Sequence, residues 1–256
     1  MKFVDFVAYC NKLLEIGVRG VILTGGGEPT ISPDFDKISA WLERNDIPYG
    51  VNTNLVIPKY INPVFLKVSI DTGDEDEFER VRGKRCLKNV LHNVRDFAAY
   101  RKSINGRTKL GVQSVALTEN DVLSFYDAVR DLDVDYIYIR PKESIEGGGV
   151  TGEEVKKWLE HIKDERINVS YKFDLSRYMP PFCVGNWASI TVDWNGNVLY
   201  CCNRPDVVVG HVLDNNILQK KEMVHVDMRR CERPCRLSGV NWYIEHADIE
   251  SDNMFI

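Results

Sequence analysis

Apolar and polar positions follow two alternating periods along the first two thirds of the chain. Near the N-terminus, apolar residues recur at helical spacing, and the run VRGVILT (18–24) then has the compact apolar character of a buried strand. Segments with helical and with strand character continue in turn. The pattern predicts helices at 3–16, 35–44, 86–103, 120–132 and 153–165, and strands at 18–24, 47–54, 65–71, 109–117 and 135–141.

Strands that alternate with helices of this length indicate a parallel sheet built from βα units, either open or closing into a barrel. The chain has 256 residues, which is enough for one large domain with an appendage and for a substantial core. We therefore predict an α/β fold.

The pattern changes after about Asp174. The segment WASITVDWNGNVLYCCN (187–203) predicts a β-hairpin, with Asn195 and Gly196 supplying the positive φ angles of a tight turn. We predict two domains, 1–174 and a small cysteine-rich domain at 175–256. This last third holds most of the cysteines: Cys183, Cys201, Cys202, Cys231 and Cys235.

Composition and charge exclude some classes of function. The hydrophobic content of 44% and the charged content of 28% are ordinary for a globular protein. A net charge of -5 argues against nucleic acid as the main partner. The chain has no apolar run of membrane-spanning length and no signal-peptide pattern, so we expect no membrane partner and a cytoplasmic protein. In the cytoplasm, the seven cysteines of the chain are better suited to be metal ligands, reactive thiols or core residues than to form disulfides.

One loop stands out for its composition. The stretch LTGGGEPTISPDF (23–35) places three glycines, a glutamate and a proline between a predicted strand and a helix that Ser32, Pro33 and Asp34 open. Ligands of α/β folds collect at the carboxyl ends of strands, where glycines allow close approach to the backbone. Taken alone, the loop is equally consistent with a flexible connection.

The motif Gly26-Gly27-Glu28-Pro29 resembles the glycine-glycine-glutamate-proline motif of the radical S-adenosylmethionine enzymes. In that family the loop binds the amino group of the cofactor's methionine, a role that suits a carboxylate and backbone carbonyls. Polar residues near later strand ends match the family in order, although Leu55 stands where the family often has glycine. The resemblance implies that S-adenosylmethionine is bound by Gly26, Gly27, Glu28, Pro29, Asn54, Ser69, Asp71 and Gln113.

Each of these later positions also has an ordinary structural interpretation. Asp71 could cap a turn, Ser69 could be an inward-facing barrel residue, and Gln113 could satisfy strand backbone. Arg140 could hold a substrate carboxylate or pair with a neighbouring acid. For Gln113 and Arg140 the structural interpretation is preferred.

The C-terminal cysteines resemble the auxiliary iron–sulfur domains of the same enzymes, of the twitch or SPASM type. Cys183 is followed by twelve residues, Gly196, four residues and Cys201, and Cys231 precedes Cys235 by a spacer of three. The resemblance implies that Cys183, Cys201, Cys231 and Cys235 ligate an auxiliary [4Fe–4S] cluster, because four thiolates complete such a site.

Zinc is the alternative occupant of these cysteines. Structural zinc sites usually show two close-spaced ligand pairs, and Cys183 with Cys201 is not one. A register slip in the hairpin would exchange Cys201 for Cys202. Cys10 and Cys86 are expected to be ordinary buried thiols.

The family's three-cysteine loop, C-x3-C-x2-C, is absent from these 256 residues. The nearest pattern is Cys231-x3-Cys235-x2-Ser238, which lies at the other end of the chain. In the family this loop follows the first strand, so we expect a partial (β/α) TIM-like barrel that lacks its first strand. An upstream segment, a second polypeptide or a true pseudoenzyme would each explain this, and the first is preferred because folding gives no reason to keep Glu28.

The resemblance therefore implies an oxidoreductase that abstracts hydrogen from a peptide or small-molecule substrate through a 5′-deoxyadenosyl radical, with an external electron donor. A second [4Fe–4S] cluster is expected only if the missing loop is supplied, and the chain by itself is expected to be inactive. The alternative is a non-catalytic scaffold that retains S-adenosylmethionine and metal binding.

Overall fold

The computed structural model describes residues 1–143, 149–175, 178–232, 235 and 237–246. Its larger sheet has six parallel strands in chain order, which confirms the α/β class. A parallel sheet whose strands follow chain order has all its crossovers on one side, as in a barrel. The strands are β1 Val21–Leu23, β2 Tyr49–Thr53, β3 Phe65–Ser69, β4 Lys109–Ala116, β5 Tyr136–Pro141 and β6 Ile167–Val169. This arrangement fits a partial TIM-like barrel.

Helices cover the convex side of this sheet. Two helices differ from the sequence prediction. Helix α3, Glu75–Arg82, was not predicted, because its EDEFERVR sequence buries only Phe78 and gives little periodic signal. Helix α6, Gly152–Trp158, ends before the predicted residue 165. After α6, Asp164 accepts hydrogen bonds from the Arg166 backbone and guanidinium and turns the chain into β6, which the sequence did not predict. The helices are α1 Phe3–Glu15, α2 Phe35–Arg44, α3 Glu75–Arg82, α4 Leu87–Ser103, α5 Glu119–Val129 and α6 Gly152–Trp158.

The two faces of the sheet differ in polarity. Residues directed toward the helices, such as Val51, Leu66, Val68, Val112 and Ile137, are fully buried in one hydrophobic cluster. The alternate positions form the concave face, because successive side chains of a strand point to opposite sides. The lower part of that face is closed by aromatic rings. A Cβ on Gly50 would collide with the ring of Phe65, and a Cβ on Gly111 would collide with the ring of Tyr136.

The C-terminal region contains the predicted hairpin within a three-stranded antiparallel sheet. In its turn only Gly196 has a positive φ, of 85°, so the prediction for Asn195 was wrong. Asp193 closes the turn by accepting hydrogen bonds from the backbone of Asn195 and Asn197, which leaves one left-handed position. The elements are β7 Thr191–Val192, β8 Asn197–Leu199, β9 Val208–His211, α7 Ile217–Met223 and α8 Ser238–His246, and the last three were not predicted.

Helix α1 contacts both sheets. Its Phe6 and Cys10 belong to the barrel core, whereas Tyr9 and Leu13 pack against a small cluster around Val198 of the antiparallel sheet. The division at residue 174 remains a prediction, and α1 provides a packed connection across it. Within the described part of the chain, no helix has the length and hydrophobicity needed to cross a membrane.

Candidate cofactor and cysteine sites

Glu28 lies at the carboxyl-terminal edge of the sheet and faces the end of β2. Its Oε1 accepts hydrogen bonds from the Thr30 backbone at 3.1 Å, the Thr30 hydroxyl at 2.6 Å and the Thr53 hydroxyl at 2.6 Å. Its Oε2 accepts one from the Asn54 backbone at 2.7 Å. The carboxylate therefore joins the β1–α2 loop to β2, so the expectation that folding gives no reason to keep Glu28 was wrong.

The same geometry leaves Glu28 able to bind a ligand. Both oxygens of an ionised carboxylate can accept hydrogen bonds. Oε1 accepts three hydrogen bonds, whereas Oε2 accepts only the one from the Asn54 backbone among the described residues. Oε2 can therefore accept a further bond from a cationic donor such as an ammonium group.

The glycines of this loop are not explained by folding. Gly26 and Gly27 do not have positive φ angles, and a Cβ at either position would meet no atom within 4 Å. Both residues are exposed, and Pro29 begins a short 3-10 helix immediately after Glu28. Neither backbone strain nor packing requires glycine here, and the bare, exposed backbone allows close approach of a ligand.

The next two strands end in strained backbone. Leu55, at the position where the resemblance predicts glycine, has a φ of 51° and is fully buried. Asp71 has a φ of 71°, forms an ion pair with Arg82 and donates its backbone N–H to the Gln113 carbonyl. Left-handed backbone at residues other than glycine is costly and is concentrated at functional sites. Both residues lie beside Glu28's edge of the sheet.

Ser69 and Gln113 lie opposite each other in the register of β3 and β4, with Tyr138 next on β5. The side chain of Gln113 is buried, whereas Ser69 and Tyr138 are partly exposed. Asn54, which follows β2, accepts a hydrogen bond from the Val56 backbone through its Oδ1 at 3.0 Å. The structure thus places the predicted strand-end residues along one edge, and their roles toward a cofactor remain predictions.

The concave face also carries polar residues that the sequence analysis did not single out. Asn52 and Lys67 are paired in register on β2 and β3, and Lys67 Nζ lies 5.8 Å from the centroid of the Tyr138 ring. The Tyr138 hydroxyl donates to Ser170 Oγ at 2.7 Å. The sequence does contain an indication of this polar face. A buried parallel strand is normally continuous in apolar residues, and the strand FLKVS is interrupted by a lysine.

A polar connection leads from this face toward the cysteines. Arg140 lies 3.9 Å from Glu143, which also pairs with the buried Lys172 at 3.0 Å. The other oxygen of Glu143 accepts a hydrogen bond from Asn203 at 3.4 Å. Arg140 therefore pairs with a neighbouring acid, as its structural interpretation expected, and Glu143 links β5 to the hairpin.

Five cysteines line a single cavity, which we call the cysteine site: Cys183, Cys201, Cys202, Cys231 and Cys235. The hairpin carries Cys201 and Cys202, and the chain segments before β7 and before α8 carry the others. The four predicted ligands are thus brought together. Cys202 also reaches the cavity, so the choice between Cys201 and Cys202 remains open.

The sulfurs of this site are surrounded by hydrogen-bond donors. Asn241 Nδ2 donates to Cys183 Sγ and Ser238 Oγ donates to Cys235 Sγ, each at 3.5 Å. The guanidinium of Arg204, only 5% exposed, contacts Cys231 while it holds Asp206 through two hydrogen bonds of 2.9 Å. Donors and cations of this kind stabilise anionic sulfur.

Burial raises the pKa of two thiols at the cysteine site. The pKa of Cys235 and that of Cys231 are raised mainly by burial, while contacts with Ser238 and Arg204 oppose the rise. Outside the site, burial raises the pKa of Cys10 to about 11, as expected for an inert core thiol. Cys86 is partly buried and packs against the barrel core.

Comparison with known proteins gives structural matches only. No family model and no curated protein sequence matches the chain. Streptococcus suis SuiB bound to S-adenosylmethionine matches with a TM-score of 0.61 at 16% identity, over 84% of this chain and 57% of SuiB. Native anSMEcpe with bound AdoMet and Cp18Cys peptide matches with a TM-score of 0.60 at 14% identity, over 88% of this chain and 73% of that one.

These neighbours are radical S-adenosylmethionine enzymes. The chain has their fold. The predicted resemblance is confirmed at this level, and the chain spans 57% of the length of SuiB. At these identities the match establishes the architecture of the sheet and its helices, while the ligands of this chain have to be argued from its own residues.

Proposed function

We propose that the chain binds S-adenosylmethionine at the carboxyl-terminal edge of the sheet and forms the core of a radical S-adenosylmethionine enzyme. The observation that carries this proposal is the loop of Gly26, Gly27 and Glu28. Neither backbone strain nor packing requires its glycines, and among the described residues only the Asn54 backbone donates to Glu28 Oε2. The fold neighbours SuiB and anSMEcpe were solved with this cofactor bound.

Each polar residue of the edge has a proposed role. Glu28 and the loop carbonyls hold the amino group of the cofactor's methionine, because that group is a donor of three hydrogen bonds. Asn54, Ser69, Asp71 and Gln113 contact its ribose and methionine groups farther along the edge. Pro29 fixes the start of the 3-10 helix and so orients Glu28.

When bound at a reduced [4Fe–4S] cluster, S-adenosylmethionine supplies a 5′-deoxyadenosyl radical that abstracts hydrogen from the substrate. The three-cysteine loop that holds such a cluster is not part of the 256 residues. We therefore propose hydrogen abstraction for an assembly in which that loop and an external electron donor are supplied. For the chain alone we propose cofactor binding without formation of 5′-deoxyadenosine.

We further propose that Cys183, Cys201, Cys231 and Cys235 hold an auxiliary [4Fe–4S] cluster. Among the described residues, no three Cys, His, Asp or Glu side chains converge on a point that would hold one metal ion. The same cysteines nevertheless line one cavity. We prefer a cluster to zinc because structural zinc sites usually show two close-spaced ligand pairs, and Cys183 with Cys201 is not one.

A peptide is the substrate class that we propose. SuiB was solved bound to precursor peptide SuiA and anSMEcpe with the Cp18Cys peptide. The concave face offers Asn52 and Lys67 in register, with the Tyr138 ring near Lys67 Nζ, and these groups can donate to or accept from peptide amides and carboxylates. A small polar molecule is the alternative substrate.

The cofactor proposal is tested by titrating S-adenosylmethionine into the chain in a calorimeter. Gly27→Ala adds one carbon and Gly27→Val adds three, at a position where a Cβ would meet no atom within 4 Å. Both variants should therefore unfold at the same temperature as the wild type. We expect affinity to fall in that order, by tenfold or more for the valine. Equal affinities, or no binding by the wild type, would contradict the site.

The cluster proposal is tested by anaerobic reconstitution with iron and sulfide. We expect about four irons per chain in a sulfide-dependent manner. Zinc found in the purified protein, with no uptake of iron, would exclude the cluster.

A non-catalytic scaffold is the second candidate function. It is favoured by the hydrogen bonds of Glu28 to Thr30, Thr53 and Asn54, which give this residue a structural role without a ligand. An in-frame C-x3-C-x2-C encoded upstream of Met1 would favour the enzyme, and a nearby upstream stop codon would favour the scaffold.

A further inference from the structure

A lysine is buried beside the cysteine site. Lys221 of α7 is only 6% exposed, although its neighbours along the helix reach the surface. Its Nζ donates hydrogen bonds to the backbone carbonyl oxygens of Asn186 at 2.6 Å and Tyr200 at 3.4 Å. These contacts hold the ammonium group in a fixed position, next to the backbone that leads directly into Cys201.

Among the described residues, no carboxylate forms an ion pair with Lys221. The contrast with Lys220 is direct, because that neighbour is 40% exposed at its side chain and pairs with Asp214 at 2.6 Å. A buried ammonium group without a counter-ion is strongly unfavourable, and neutral carbonyl contacts compensate for it only in part. The carboxylates of the described residues therefore leave the charge of Lys221 without a counter-ion, and only the carbonyls and the Tyr200 ring, 5.9 Å from its Nζ, are near it.

The cysteine site is the nearest source of a negative charge for Lys221. The Tyr200 carbonyl that Lys221 contacts belongs to the peptide bond with Cys201, and negative charge on Cys201 and Cys183 acts on the lysine. Burial lowers the pKa of Lys221, and negative charge on these two sulfurs opposes that change. A protonated thiol offers no charge, whereas a thiolate bound to iron does, so the lysine and an anionic occupant of the site stabilise each other.

We propose that Lys221 is a buried counter-cation of the cysteine site, in addition to Arg204, and raises the reduction potential of the group bound there. This inference rests on the proposed cluster. A [4Fe–4S] group with four thiolates is an anion, and reduction by one electron makes it more negative. A fixed ammonium group stabilises the reduced form more than the oxidised form and raises the potential. Lys221 is thus a positioning residue that acts through the thiolates and is not itself a ligand.

The experiment compares the reconstituted full chain with three variants: Lys221→Met, which removes the charge at similar size, Lys221→Arg, which retains it, and Lys220→Met, the exposed control. Each protein is titrated anaerobically with dithionite and followed by electron paramagnetic resonance. For Lys221→Met we expect at least a tenfold lower ratio of reduced to oxidised cluster at a given potential, a shift of about 59 mV to more negative values. Lys221→Arg and Lys220→Met should titrate like the wild type.

Unfolding of the metal-free chains separates this role from a structural one. Without iron, Lys221→Met should be at least as stable as the wild type, because an unpaired buried charge has been removed. Lys221→Gln, which keeps a hydrogen-bond donor without the charge, should shift the potential as the methionine does.

Two results would overturn the inference while leaving the cluster in place. One is a Lys221→Met potential equal to that of Lys220→Met. The other is a metal-free Lys221→Met chain that loses as much stability as the iron-loaded one. A wild-type chain that takes up no iron would instead overturn the cluster assignment, and the inference with it.

Discussion

The barrel region and the cysteine-rich region are stabilised in different ways. The barrel buries one continuous hydrophobic cluster that includes residues from four of its six strands and from its helices. The C-terminal region has two small clusters, one around Val198, Val212 and Ile217 and one around Tyr200, Cys201 and Leu237. The second of these is lined with cysteines.

This difference indicates what each region needs in order to fold. Burial of apolar surface can stabilise a core as large as that of the barrel. A region with so few fully buried side chains needs another source of stability, and metal binding is the usual one in small cysteine-rich units. We therefore expect the barrel to fold without metal and the cysteine site to depend on its occupant.

The largest expected effect is the loss of iron from ligand variants. Cys183→Ala, Cys231→Ala and Cys235→Ala should each abolish stable cluster binding, because each removes one of four thiolates. Iron and sulfide contents after reconstitution measure this. Cys10→Ala and Cys86→Ala should keep the wild-type iron content, and a chain that retains its iron without Cys231 would place the ligands elsewhere.

The barrel core gives the next effect. Phe125 of α5 is fully buried, and Phe125→Ala should reduce the free energy of unfolding by about 3–5 kcal/mol through lost burial and a cavity. Urea denaturation of the metal-free chain measures the change. Phe182→Ala is the matched control, because Phe182 is 66% exposed, and it should change stability by about 0.5 kcal/mol or less.

Loss of the Asn93 hydrogen bonds beside the carboxyl-terminal edge of the sheet should reduce stability less than Phe125→Ala does. Asn93 Nδ2 donates to the carbonyl oxygens of Leu55 at 2.9 Å and Val56 at 3.2 Å. Asn93→Ala leaves these carbonyls without that donor, and we expect a loss of about 1–3 kcal/mol of stability. Since the contact holds the left-handed Leu55 in place, affinity for S-adenosylmethionine should fall as well. Unchanged affinity with reduced stability would separate Asn93 from the binding edge.

The smallest expected effect is the pH-dependent contribution of Asp164, which precedes the edge strand β6, to the stability of the barrel. The hydrogen bond from Arg166 holds the pKa of Asp164 below its ordinary value. The carboxylate therefore adds stability above the ordinary aspartate pKa, and this contribution is lost as the pH falls through the lowered pKa of the folded state. Asp164→Asn should cost about 1 kcal/mol at neutral pH and progressively less in acid. A constant difference across the pH range would show that charge is not involved.

Sequence periodicity predicted those elements whose burial is strong and regular. The strands of the barrel were recognised because Val51, Leu66 and Val112 fall in compact apolar runs. Helix α3 was missed because only Phe78 of its eight residues is buried, and β6 because it has three residues. Local apolar periodicity is too weak in such short or exposed elements to identify them.

The candidate sites were predictable to different degrees. Glu28 and its glycines stand together in one contiguous motif, so their position at the strand edge followed from the βα pattern. The positions of the hydrogen-bond donors and cations around the cysteines did not follow from any sequence pattern. Arg204 and Lys221 approach the site only through the tertiary fold, and a lysine in ILQKKEM gives no local sign that it is buried.

The central claim is that the loop of Gly26, Gly27 and Glu28 binds the methionine end of S-adenosylmethionine. A crystal structure of the chain soaked with this cofactor tests it most directly. We predict that the cofactor's amino group lies within hydrogen-bonding distance of Glu28 Oε2 and of a loop carbonyl, with its ribose near Ser69 and Asp71. A cofactor bound elsewhere, or an empty loop under saturating cofactor, would contradict the account.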